Sequence, residues 1–219
     1  MAGKIFVITG SDCAGKSTQV MMLMSRLNLD GARVRHIKFP VYDSPTGKII
    51  SRYLGRGGAE YEFGHPNSVA PKIASTWYAL NRVEMLPTMR GILDDGVNIV
   101  CDRYVESNMA HQASKLPEAE RGEFIKWVEH LEYHDFGLIK PSATIFLHVP
   151  YAVSLAMAEK RGGADGHESC EEHMKNTEEV FIQLASIYKW STVECVVNGG
   201  FKPSKDISEE IGQIIDGLT

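Results

Sequence analysis

Residues 10–18 read Gly10-Ser-Asp-Cys-Ala-Gly15-Lys16-Ser17-Thr18 and match the pattern GxxxxGK[ST]. Just before them, Lys4-Ile-Phe-Val-Ile-Thr9 is a short apolar run that predicts a buried strand. Just after them, residues 17–29 place apolar side chains at helical spacing. The stretch therefore predicts a strand, a tight turn and a helix, which is the context in which this pattern encloses phosphate groups.

The residue types of this loop suit a phosphate ligand. Gly10 and Gly15 let the backbone curl so that its N–H groups point inward, and the following helix adds its positive N-terminal end. Lys16 supplies a cation for the β- and γ-phosphates, and the Ser17 hydroxyl can ligate Mg²⁺. The alternative is an ordinary strand, turn and helix with a chance lysine. We expect ATP to bind to all nine residues: Gly10, Ser11, Asp12, Cys13, Ala14, Gly15, Lys16, Ser17 and Thr18.

Strands and helices alternate along the rest of the chain. Further strands are predicted at residues 33–39, 97–101, 142–149 and 192–197, with helices between them. Pro87 is expected to end or kink the helix that begins near Asn67. This alternation predicts an α/β fold of three layers, in which helices cover both faces of a mostly parallel sheet of about five strands. We expect one domain over residues 1–219, with a short glycine-rich lid at about residues 161–170.

Composition narrows the class of protein. The 219 residues carry a net charge of -5, and no apolar run approaches the ~18 residues of a membrane span. The four cysteines form no CxxC pair, so we expect reduced thiols and a cytoplasmic protein rather than a disulfide framework. Mild acidity argues against a nucleic-acid partner, because phosphate backbones bind large basic surfaces.

A second charged motif stands at the end of another predicted strand. Val97-Asn-Ile-Val-Cys-Asp102 closes on an acid, and Arg103 follows it directly. Asp102 is a candidate for the Mg²⁺ shell, and the Arg103 guanidinium could neutralise charge during phosphoryl transfer. The alternative is a structural ion pair between the two residues.

Four motifs in register resemble thymidylate (dTMP) kinases, a family of P-loop nucleoside-monophosphate kinases. They are the loop with an acid at its third position, Phe39-Pro40, Tyr78-Ala-Leu-Asn-Arg82, and the stretch from Asp102 to Gln112. The resemblance implies that the γ-phosphate of ATP is transferred to dTMP, giving dTDP and ADP for dTTP synthesis. It also implies a Mg²⁺ requirement and a homodimer. A related deoxynucleoside or nucleoside-monophosphate kinase with another acceptor is the alternative.

The resemblance also implies roles for the acceptor residues. Tyr78 would stack on the base and Arg82 would donate to thymine O4, whereas the residues alone also allow core aromatics and a surface cation. Ser107 and Asn108 would contact the pyrimidine edge, and Asp12 would approach the sugar 3′-OH and the metal. The full set of expected substrate contacts is Phe39, Tyr42, Tyr78, Arg82, Arg103, Ser107, Asn108, His111 and Gln112.

The sequence departs from the family pattern at several positions. His111 stands where the family often has an aromatic residue beneath the deoxyribose, and Tyr42 stands where many members have a phosphate-binding arginine. Cys13 occupies the loop position at which some members carry an extra arginine, which leaves Arg161 as the candidate lid cation. The expected catalytic residues are therefore Lys16, Arg103, Asp12 and Arg161.

Overall fold

The computed structural model describes residues 2–56, 61–161 and 171–217. The main strands are β1 (Ile5–Thr9), β2 (Val34–Lys38), β3 (Asn98–Asp102), β4 (Ala143–His148) and β5 (Ser191–Glu194). The helices are α1 (Lys16–Leu29), α2 (Pro45–Tyr53), α3 (Pro71–Asp94), α4 (Val105–Ala113), α5 (Glu118–Glu129), α6 (Tyr151–Arg161), α7 (Glu171–Tyr188) and α8 (Ser204–Asp216). A π-helical turn, His130–Asp135, continues α5, and a hairpin of β6 (Val196–Val197) and β7 (Gly200–Phe201) follows β5.

The five main strands form one parallel sheet in the order β2-β3-β1-β4-β5. Every residue of β1 is buried, and its side chains alternate between two cores. Ile5 and Val7 pack with α3, α4, α5 and α7 on one face, whereas Phe6 and Ile8 pack with α1 and α8 on the other. The prediction of a three-layer α/β fold with about five mostly parallel strands is confirmed.

The helix does not end at Pro87, so that part of the prediction is wrong. Helix α3 begins at Pro71 and continues through Pro87 to Asp94. Proline costs a helix one backbone hydrogen bond, but Leu86, Met89 and Leu93 around it are buried in the core beside the sheet. Tertiary packing of this face therefore outweighs the local effect of the proline.

A third, smaller core lies where the ends of α2 and α3 meet. Ile50, Tyr53, Leu54, Val69 and Ala74 are its buried members, and the partly buried Tyr42, Trp77 and Tyr78 pack against it. Of the α3 aromatics in this core, Tyr78 lines the same cleft as residues 12–18 of the glycine loop.

No helix among residues 2–56, 61–161 and 171–217 combines the length and the apolar character that crossing a membrane requires.

Candidate active site

The carboxyl ends of β1 and β3 lie side by side, so the glycine loop after Thr9 meets Asp102 and Arg103 at one edge of the sheet. An open cleft of about 540 Å³ occupies this edge. It is lined by most of the predicted site residues, namely Asp12, Cys13, Ala14, Gly15, Lys16, Ser17, Thr18, Phe39, Tyr42, Tyr78, Arg82, Asp102, Arg103, Ser107, Asn108, His111 and Gln112. Gly10 and Ser11 do not line it. Lys38 and Arg56, which the sequence did not single out, do.

The glycines of the loop are required by its geometry. Gly10 has φ 146°, and a Cβ atom there would lie 2.5 Å from the carbonyl oxygen of Leu147 on the neighbouring strand β4. Gly15 has φ 74° and precedes the first residue of α1. Positive φ values of this kind are costly for residues with a Cβ atom, so the glycines let the loop turn sharply into the helix.

Lys16 begins helix α1 and is buried. Its Nζ donates to the carbonyl oxygen of Ser11 at 2.6 Å. Burial, together with the positive charge of Arg103, lowers the pKa of Lys16 to about 8. The ammonium group is therefore poorly solvated in the free protein, and a bound phosphate would stabilise its charged form.

Ser17, at the start of α1, contacts Asp102 at the end of β3. The Ser17 hydroxyl donates to Asp102 Oδ2 at 2.8 Å, and Lys38 Nζ lies 3.5 Å from the same oxygen. Asp102 Oδ1 is buried and has no hydrogen-bond partner among the described residues. Oxygen donors of this kind are the ligands that Mg²⁺ prefers, so the two residues fit a magnesium ion.

Arg103 connects the loop with helix α4. Its Nη1 donates to His111 Nε2 at 3.0 Å, and its Nη2 forms an ion pair with Asp12. Because a guanidinium can only donate, His111 Nε2 must accept, and the proton of the neutral ring lies on Nδ1. Burial and the charge of Arg103 hold the pKa of His111 well below its usual value, which favours this neutral form.

Arg82 lies on the inner face of α3, and the alternative of a surface cation is wrong. Its side chain is 3% exposed, and its Nε and Nη2 donate to the two carboxylate oxygens of Glu132 at 2.5 and 2.6 Å. Burial alone would lower the pKa of Arg82, but the Glu132 carboxylate raises it on balance. The remaining nitrogen, Nη1, is 3.4 Å from the carbonyl oxygen of Tyr104.

Asn108 shares the same carboxylate. Its Nδ2 donates to Glu132 Oε1 at 2.7 Å and to the Ser75 carbonyl oxygen at 3.2 Å. Its Oδ1 is buried without a partner among the described residues, and so are both amide atoms of Gln112. Sequence reasoning missed Glu132, since it lies 50 residues from Arg82 and no local motif marks it.

Ser107 is buried one residue earlier on α4. Its hydroxyl and that of Thr9, on β1, are 3.0 Å apart and hydrogen-bonded. This bond ties the start of α4 to the central strand, although Ser107 still lines the cleft.

The aromatic wall of the cleft contains a cation that the sequence did not indicate. The Arg56 guanidinium stacks 4.0 Å from the centroid of the Tyr42 ring and donates to the Tyr42 hydroxyl at 3.3 Å. Tyr78 lies edge-on to Tyr53, and the buried Phe39 ring packs 5.7 Å from that of Tyr104. The positive charge that Tyr42 lacks is therefore supplied beside it by a residue that follows α2.

The predicted lid at about residues 161–170 lies almost entirely outside the residues that the structure describes. Helix α6 ends at Arg161, but the Arg161 side chain and residues 162–170 are not among the described parts of the chain. The role of Arg161 as a lid cation stays a prediction.

Comparison with known proteins identifies a family and several relatives. A model of the thymidylate kinase family matches residues 8–211. The thymidylate kinase of Danio rerio is 26% identical over 211 residues, which cover 95% of this chain and 91% of that protein. The thymidylate kinase of Homo sapiens is 32% identical over 169 residues, which cover 77% of this chain and 69% of that protein.

A solved structure shares the fold. The structure of thymidylate kinase from Candida albicans superposes with a TM-score of 0.75 at 22% identity, covering 99% of this chain and 92% of that one. The family match extends over nearly the whole chain and includes the glycine turn, the Asp102-Arg103 pair and helix α4. The chain belongs to the thymidylate kinase family.

Proposed function

We propose that this chain transfers the γ-phosphate of ATP to dTMP in the cleft described above, giving dTDP and ADP. Family membership supports the reaction. The observation that carries the proposal is that four of the eight buried polar side-chain atoms without partners among the described residues belong to residues lining that cleft: Asn108 Oδ1, both amide atoms of Gln112, and Asp102 Oδ1. Each such atom costs about 1–3 kcal/mol when left unpaired, so their concentration here indicates a polar ligand.

The base pocket matches the edge of thymine. Thymine presents an acceptor at O4 and a donor at N3–H, which suit the Arg82 guanidinium and the Asn108 Oδ1 atom. Glu132 holds both side chains, so they are already oriented before substrate binds. Cytosine has an amino group at position 4 and an unprotonated N3, which would leave Asn108 Oδ1 unpaired. Polar sites of this kind discriminate strongly against a ligand that cannot complete their hydrogen bonds.

The cations of the cleft suit the phosphates. ATP carries about four negative charges and dTMP about two, so transfer depends mainly on positioning and electrostatic stabilisation. Lys16 would hold the β- and γ-phosphates, Arg103 would neutralise charge on the group in transfer, and Arg56 would bind the acceptor phosphate. Asp12, in its ion pair with Arg103, would orient that guanidinium and approach the 3′-OH of the sugar.

Ser17 and Asp102 would hold Mg²⁺, and the orphaned Oδ1 atom of Asp102 supports this assignment. When bound, Mg²⁺ neutralises charge on the phosphate oxygens. Lys38, whose Nζ lies 3.5 Å from Asp102 Oδ2, adds a positive charge beside this site. We also propose, from family membership, a homodimer in the cytoplasm with Arg161 on a short lid.

The test is a coupled assay of ADP formation with ATP and Mg²⁺ against dTMP, dUMP, UMP, dCMP, AMP, dGMP and unphosphorylated thymidine. We expect dTMP to have the highest kcat/KM. dUMP lacks one methyl group, whose burial contributes about 0.8 kcal/mol, so its kcat/KM should be about fourfold lower than that of dTMP. The kcat/KM for dCMP should be at least 100-fold lower than for dTMP, because two hydrogen-bonding groups would be left unpaired.

A variant distinguishes base recognition from catalysis in general. Asn108→Leu should raise the KM for dTMP and narrow the gap between dTMP and dCMP, while the KM for ATP stays unchanged. A preference for thymidine, for another monophosphate or for no acceptor in the parent protein would contradict the proposed function.

A further inference from the structure

The outer face of the π-helical turn carries three side chains of metal-ligating type, outside the cleft. His130, His134 and Asp135 have exposed side-chain fractions of 62%, 78% and 51%. One ligand atom from each lies within 4.8 Å of the other two. Asp135 Oδ1 is 3.2 Å from His130 Nε2 and 4.0 Å from His134 Nδ1, and the two imidazole rings stack with centroids 4.7 Å apart.

The π-helical geometry is what brings these three residues to one face. In an α-helix, the fifth residue along lies about 140° around the axis from the first, so Asp135 would point away from His130. A π-helix closes its hydrogen bonds over five residues, as the bond from Phe136 N to the Leu131 carbonyl oxygen does here at 2.9 Å. The wider turn places the fourth and fifth residues after His130 on its own side.

We propose that His130, His134 and Asp135 bind a divalent transition-metal ion such as Zn²⁺. Ligand atoms about 2.0–2.1 Å from a tetrahedral zinc ion stand about 3.3 Å from one another. The distances of 3.2 and 4.0 Å from Asp135 Oδ1 approach this value. The two imidazole rings are stacked with their planes 12° apart, so at least one of these exposed histidine side chains has to rotate until both nitrogen lone pairs point to the ion. Water would fill the fourth position.

The donor set separates this site from the magnesium site of the cleft. Two imidazole nitrogens and one carboxylate oxygen suit Zn²⁺, Cu²⁺ or Ni²⁺, whereas the oxygen donors of Ser17 and Asp102 suit Mg²⁺. The proposal rests on the geometry of the turn alone and does not depend on the proposed reaction.

The proposed zinc site and the base pocket lie on opposite faces of the π-helical turn. Glu132 belongs to the same turn, but its side chain is fully buried on the inner face, where it binds Arg82 and Asn108. A metal ion on the outer face would therefore restrain the segment that orients the two residues of the base pocket.

The test is titration of the full chain with Zn²⁺ alone, by calorimetry, in millimolar Mg²⁺ that fills the hard-cation site. Three proteins are compared: the parent, His134→Gln, and the control His65→Gln, which removes an exposed histidine elsewhere. We expect one zinc site whose affinity falls at least about tenfold in His134→Gln and is unchanged in His65→Gln. Cu²⁺ bound to the parent should show hyperfine splitting from two imidazole nitrogens, and this signature should be lost in His134→Gln.

Equal zinc affinity in the parent and in His134→Gln would overturn the proposal, provided that circular dichroism shows both proteins folded. A copper spectrum with oxygen ligands only would overturn it as well. Because none of these measurements uses dTMP or ATP, failure of the zinc site and failure of the proposed kinase activity are distinguishable.

Discussion

Glu132→Gln tests whether one buried carboxylate supports both the fold and the base pocket. Glu132 is fully buried and accepts three hydrogen bonds, two from Arg82 and one from Asn108. An amide in its place is neutral and can accept through only one oxygen. The positive charge of Arg82, itself 3% exposed, would then lose the carboxylate with which it is paired.

Leaving one member of a buried ion pair without its partner typically costs about 3–5 kcal/mol. For a chain of this size each kcal/mol lowers the melting temperature by about 2–4 °C, so Glu132→Gln should lower it by about 6–20 °C. The KM for dTMP should also rise, since Arg82 and Asn108 lose the group that orients them.

The free energy of unfolding is measured by urea denaturation for the parent, Glu132→Gln and the control Glu123→Gln. Glu123 is exposed on helix α5, and its substitution should change stability by less than about 0.5 kcal/mol. The double variant Arg82→Met, Glu132→Leu removes both charges. It should be destabilised by less than the sum of the losses in the single variants Arg82→Met and Glu132→Leu. A loss below about 1 kcal/mol in Glu132→Gln, or strict additivity in the double variant, would refute the reasoning.

Two further outcomes concern the cleft, and a third concerns the buried His173 on α7. Arg56→Ala should raise the KM for dTMP about tenfold with little effect on the KM for ATP, because the loss of a charged hydrogen bond costs about 1.5–3 kcal/mol. The control is Arg52→Ala, which removes an exposed arginine paired with Glu62. Equal effects on the KM for dTMP in both variants would argue against an acceptor role for Arg56. Lys16→Met should lower kcat about 100-fold or more in steady-state assays, and an unchanged kcat would exclude the proposed phosphate contact. The third outcome concerns pH: burial lowers the pKa of His173 to about 4 from about 6.5 in the unfolded chain, so its contribution to stability is complete above pH 6.5 and is lost as pH falls toward 4. The stability difference between the parent and His173→Asn should therefore shrink by about 2 kcal/mol from pH 7 to pH 5 in urea denaturation, and a constant difference would contradict this sign.

Local patterns were sufficient to predict the phosphate loop and the order of layers. The loop of residues 10–18 needs glycine at two positions of positive φ, and this demand is visible in the sequence. The three central strands β1, β3 and β4 are short, mostly apolar runs, and the alternation of strands with helical segments predicts a parallel sheet. Asp102 and Arg103 were found because the carboxyl end of a buried strand is where such sheets bind ligands.

The sequence by itself therefore determined the fold class, the phosphate loop and, through resemblance, the family. Only the tertiary structure revealed the partners of the site residues: Glu132 beneath Arg82, Arg56 on Tyr42, and Lys38 beside Asp102. It also showed that α3 continues through Pro87, since the packing of Leu86 and Met89 outweighs one lost backbone bond. The physical reason is distance along the chain. A loop motif is encoded by neighbouring residues, whereas an ion pair between residues 50 positions apart exists only after the sheet and helices have packed.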